Sequence, residues 1–171
     1  MSTTVVTQRS NGVRLVGLLT LIAGVLLIVA GGVTWGAVTV QLSAENITVP
    51  GDASFAAGTH VNNPISAFAQ ADIINKHALD DSGGLTYAEL GTKAREAEAA
   101  GASEEEIAEI RAQRTSVMNG SFLRASLFTS VVAYGIAALV IGLGVLFILV
   151  GWALRRLASG PDAVAPAVAK E

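Results

Sequence analysis

Two runs of thirty residues, 15–44 and 125–154, contain no charged side chain and no histidine. A helix rises about 1.5 Å per residue, so about 20 apolar residues cross a hydrocarbon layer about 30 Å thick. Each run therefore suffices to span a bilayer and project beyond it. The 80 residues between them are too few to bury two apolar helices of this length inside a soluble core. The first run also exceeds the apolar core of a cleavable signal sequence, and no clear A-x-A site follows it. The expectation is an all-α membrane protein: an antiparallel two-helix transmembrane hairpin carrying a small, mostly helical extracytoplasmic domain.

Charge orients this hairpin. Arg9 and Arg14 precede the first run, and Arg155 and Arg156 follow the second directly. Residues 45–124 instead hold 12 acidic and 6 basic side chains. Lys and Arg concentrate on the cytoplasmic side of membrane proteins. The reading is thus a plasma-membrane protein with both termini cytoplasmic: an N-tail over 1–14, spans over 15–44 and 125–154, an extracytoplasmic domain over 45–124, and a flexible C-tail over 155–171. Trp35 and Tyr134 fall at the outer interface and Trp152 at the inner one, where amphipathic rings favour the headgroup level.

Spans free of ionisable groups lack what proton relays, voltage sensors and most ion-coupled transporters use. Their small residues are more telling. Gly17, Gly24 and Gly31 recur every seven positions, as do Ala137, Gly144 and Gly151, with Ser130 extending the second series. Small side chains let backbones approach closely in lipid, and a seven-residue repeat favours a left-handed supercoil. In an antiparallel pair the stripes meet in one register: Gly17 on Gly151, Gly24 on Gly144, Gly31 on Ala137. Gly32 and Gly36, with Ala138 and Gly142 on the other run, offer a second contact to a copy or a partner subunit.

The intervening segment reads as loop and then helices. Pro50-Gly51-Asp52 marks a turn in an irregular or short hairpin region over 45–62. Asn63-Pro64 caps a helix to about Asp80, where Gly83-Gly84 ends it. Thr86 and Glu89 have capping-box spacing, and so do Ser103 and Glu106. The helix after Ser103 is expected to stop near Met118, before Asn119-Gly120. Residues 91–106 hold no large apolar side chain. So thin a core predicts that this segment leans on the span ends, on a copy of itself, or on a partner.

Catalytic and metal signatures are few. With no cysteine, disulfides and thiolate chemistry are excluded. No GxSxG, phosphate loop or HExxH occurs, and the absence of a basic patch argues against nucleic acid. His60 and His77 are the only histidines. Laid on a calcium-binding loop, Asp80, Ser82 and Glu89 take the third, fifth and twelfth positions, but the first is Ala78. Helix stop, glycine turn and capping box account for the same residues, so no metal and no cofactor are expected. A weak calcium-responsive exported module using Asp80, Ser82 and Glu89 is one alternative.

GGVTWGAV (31–38), ENITV (45–49), NKHALDDSGGLTYAEL (75–90) and SVMNGSFLRASLFTSVVAYGIAALV (116–140) resemble a family of small actinobacterial two-span membrane proteins. The resemblance is weakest over 92–113, which looks like an inserted helical excursion. Members often carry the label "aromatic ring-opening dioxygenase", so the resemblance implies a metal-dependent dioxygenase as the other alternative for this chain. The resemblance carries over no catalytic residue. From the residues themselves, the expected role is a non-enzymatic accessory or scaffolding element. It would present an acidic exported domain to an envelope or membrane protein, or to itself.

Overall fold

The computed structural model describes residues 11–159. It contains four helices: α1 (Asn11–Ala44), α2 (Pro64–Asp81), α3 (Tyr87–Ala99) and α4 (Glu104–Leu157). No strand occurs among the described residues, so the chain is all-α. Two compact units divide it, one made of residues up to Gly32 with those from Ala137 onward, the other of Val33–Ile136. Both α1 and α4 are long and apolar enough to cross a membrane.

Local chemistry sets the helix ends. Asn63 adopts extended backbone, and its side-chain oxygen accepts from the Ile65 and Ser66 amides at 3.0 Å each. The Ser66 hydroxyl accepts in return from the Asn63 amide at 3.3 Å, closing a capping box ahead of Pro64. At the other end of α2 the chain turns on Gly83 and Gly84, both at positive φ, and the Gly84 amide returns to the Leu79 carbonyl at 2.6 Å. Left-handed backbone of this kind strains any residue with a Cβ, which is why glycines stand there. Thr86 and Glu89 form the second capping box, and the Ser103 hydroxyl accepts from the Glu106 amide ahead of the acidic first turn of α4.

One sequence expectation is overturned. The helix begun after Ser103 does not stop at Met118; α4 runs unbroken for 54 residues through Asn119 and Gly120. A mid-helix glycine costs only about 1 kcal/mol relative to alanine, and packing outweighs it here. A Cβ at Gly120 would lie 3.2 Å from the Ala78 Cβ of α2, so the missing side chain is what lets the two helices approach.

Within Val33–Ile136, one core gathers Leu42 of α1, Val49 and Val61 of the connecting loop, Ala67, Ala69 and Ala71 of α2, and Leu127 and Tyr134 of α4. The loop over 45–62 is held by one isolated antiparallel bridge, Thr48 to His60, with Val49 and Val61 driven almost wholly out of solvent. A second, smaller core packs Leu90 and Ala94 of α3 on Ile110 and Val117 of α4. The segment between the apolar runs thus takes part of its core from the long helices. Three of its larger apolar residues, Ile65, Phe68 and Tyr87, nevertheless stay exposed.

Candidate functional site

In the unit that includes Gly32 and Ala137, two helical segments meet along small residues. Gly17, Gly24, Gly31, Ala137, Gly144 and Gly151 are all buried. A Cβ placed on Gly24 would come within 2.6 Å of the Gly144 carbonyl oxygen, and one on Gly144 within 2.7 Å of the Gly24 oxygen. The Gly151 position meets the Gly17 carbonyl at 2.6 Å, and the Gly31 position meets the Ala137 carbonyl at 2.9 Å. Backbone therefore lies against backbone, and the attraction is dispersion between closely spaced main chains. A Cβ added at Gly32, Gly36 or Gly142 would meet no atom within 4 Å among the described residues, so these glycines take no part in the seam.

Sequence reasoning missed the side chains that flank this seam. Ile148 lies over Gly24, Ile28 over Gly144, Ile141 over Gly31 and Leu21 over Gly151. Each follows a small residue of its own helix by four positions, one turn later on the same face. A small-xxx-branched spacing was the available signal. Away from the seam the apolar side chains stay open, with Leu15, Leu19, Leu26, Leu139 and Leu149 all more than half exposed.

The aromatic residues behave differently from one another. Trp152 is exposed, with the Arg156 guanidinium 5.0 Å above its ring. Trp35 meets Tyr134 edge to face at 4.7 Å. Tyr134 itself is buried, and its hydroxyl donates to the Asn62 carbonyl at 3.0 Å. Its single proton is used there, so the Thr39 hydroxyl is the donor in the 2.8 Å contact between the two side chains. Arg14 is exposed, and Arg155 lies against Gly17. Arg9 falls outside the described residues.

Two of the three calcium candidates, Ser82 and Glu89, are bonded locally. The Ser82 hydroxyl lies 2.6 Å from the Leu85 carbonyl and 3.1 Å from that of Leu79. The Glu89 carboxylate accepts from the Thr86 amide at 2.8 Å and the Thr86 hydroxyl at 2.7 Å. The amide bond, followed by the hydroxyl, holds its pKa below the ordinary value. Asp80 belongs to the last turn of α2. No group of three or more His, Asp or Glu side chains placed to hold a metal occurs among the described residues.

The histidines separate. His60 takes part in the loop bridge, whereas the His77 Nε2 lies 2.8 Å from Asp52 Oδ2. Sequence reading did not pair these two, which are 25 positions apart. The hydrogen bond from His77 is the main cause lowering the Asp52 pKa, with a smaller opposing contribution from desolvation. Both side chains are about half exposed, so the pair clips the 50–53 turn to α2 at a solvated surface.

No family model, curated protein or solved structure matches this chain.

Proposed function

We propose that this chain is a non-enzymatic integral membrane protein, anchored by α1 and α4, that serves as an accessory or scaffolding element in the cell envelope. The carrying observation is the combination of a glycine-lined seam with open apolar flanks. Only 11% of the most apolar window of α1 and 17% of that of α4 is buried by the protein. An aqueous protein does not leave so much contiguous apolar surface uncovered, whereas lipid covers it without cost. Close packing through small residues is the means of association available where no hydrophobic effect drives helices together.

Orientation follows from charge. Arg14, Arg155 and Arg156 sit at one end of the apolar stretches, and the connecting residues carry the acidic excess. Both termini are then cytoplasmic and residues 45–124 face outward. The exposed Ile65 and Phe68, on a segment whose core is small, support a role in contacting a membrane or envelope protein, or a second copy.

Reporter tags at each terminus and in the 50–58 loop test the topology, with only the loop tag expected to be accessible from outside intact cells. Crosslinking in those cells, followed by mass spectrometry of adducts on residues 45–124, tests the interaction role. Recovery of the chain as an uncrosslinked monomer would remove the basis for a scaffold.

A further inference from the structure

We infer that the two clefts flanking the first turn of α3 form a binding site for a multivalent oxyanion, a small compound bearing more than one phosphate or carboxylate group. Charge is unevenly distributed here. Residues 45–124 are acidic by two to one, yet their four arginines, Arg95, Arg111, Arg114 and Arg124, all line these clefts. Glu98, already bonded to Arg111 at 2.6 Å, is the sole carboxylate there.

Arg124 borders a cavity of about 300 Å³ whose apolar wall includes Leu79 and Val117. Its Nη1 donates to Asn75 Oδ1 at 2.9 Å, and its guanidinium lies 5.3 Å from the centre of the Phe128 ring. Among the described residues no carboxylate pairs with it, and its Nε–H is shut off from solvent with no acceptor. Among so many available acids, a partly enclosed cation held by an amide and a ring lacks its counter-charge. An enclosed cation without a counter-charge is costly, and an oxyanion entering the cavity supplies that charge to the guanidinium.

On the other side of the same turn, an open groove of about 510 Å³ is bordered by Arg114. That guanidinium stacks 4.0 Å over the Tyr87 ring, and its Nε lies 3.4 Å from the Tyr87 carbonyl, again with no carboxylate partner among the described residues. Tyr87 and Ala88 line both clefts, and their amides, the first two of α3, meet no acceptor among the described residues. Glu89 turns back to Thr86 and lines neither cleft. Planar guanidinium groups with free donors beside helix amides suit phosphate or carboxylate oxygens. Tyr87 and Ala88 are common to both walls, and two such adjoining places favour a ligand with two anionic groups over a single small ion.

The test uses the full chain in nanodiscs of zwitterionic lipid, titrated calorimetrically with inorganic tripolyphosphate and, separately, with citrate. Binding of at least one is expected by about millimolar concentration, weakening as salt rises. Arg124→Gln and Arg114→Gln should each weaken it by about tenfold, while Arg124→Lys keeps part of the affinity and Lys93→Gln leaves it within about twofold. Helical circular dichroism checks that each variant is folded, and Arg114, bordering the open groove, serves if Arg124→Gln misfolds. Discs containing anionic phospholipid distinguish the source. Loss of soluble-ligand binding there identifies a lipid headgroup as the occupant, and undiminished binding identifies a soluble ligand. Absence of binding to both probes in the zwitterionic discs overturns the site, as does equal affinity in wild type and both Gln variants.

Discussion

The Tyr134 hydroxyl donates to the main-chain carbonyl of Asn62, tying a buried ring on α4 to the residue just before the cap of α2. The same oxygen accepts from Thr39 on α1. One phenol therefore joins three parts of the chain. Tyr134→Phe keeps the ring against Trp35 and removes both bonds. The expected loss is about 1–3 kcal/mol, because the Asn62 carbonyl and the Thr39 hydroxyl are left with poorer partners. Thermal unfolding in detergent measures it, and an unchanged midpoint would show that water replaces the phenol fully.

The glycine seam makes a testable contrast. Gly24→Leu or Gly144→Leu drives a side chain into the opposing backbone and should cost about 1–3 kcal/mol or more. Gly32→Leu and Gly36→Leu enter open space and should leave the stability of the isolated chain nearly unaltered. The ratio of folded to unfolded protein in a detergent titration discriminates them. Equal tolerance at all four positions would remove the seam as a source of stability.

Asn63→Ala removes the side-chain acceptor for the Ile65 and Ser66 amides. A loss of about 1 kcal/mol is expected, typical of an N-cap. Hydrogen exchange should quicken at those two amides first, with the interior of α2 protected.

Acid stability has a definite sign. Asp52, bonded to His77, and Glu89, bonded to the Thr86 amide, both have pKa values below their ordinary ones. A depressed carboxylate stabilises the folded state at every pH above its unfolded value, and that contribution is lost as pH falls through the folded value. The thermal midpoint should thus hold from neutrality to about pH 4 and decline below it. Asp52→Asn and Glu89→Gln should each shallow that decline. The effect is small, because both groups face solvent.

Much of this architecture was legible in the residues. Charge-free runs, the Asn63 and Thr86 caps and the Gly83-Gly84 stop each act locally, and local chemistry is what sequence displays. The break expected at Asn119-Gly120 failed because the reason for Gly120 lies across space, at Ala78, where only the fold brings a second helix. The Asp52–His77 clip and the gathering of the arginines around the first turn of α3 were hidden for the same reason. Tyr134 was placed by depth alone. Its partners Thr39 and Asn62 lie 95 and 72 positions away, beyond the reach of any periodicity.

The spacing of the small residues also governs which mistakes the helix pair can make. Sliding one helix by four positions would drop Phe147 onto Gly17 and Val140 onto Gly24, a collision between bulky groups and main chain. Sliding by seven, about 10 Å, would instead set Gly144, Ala137 and Ser130 against the three glycines and meet no obstacle. The stripe behaves like a comb whose teeth fit again one notch along. Choosing the right notch falls to residues off the comb, chiefly Tyr134 with Thr39 and Trp35.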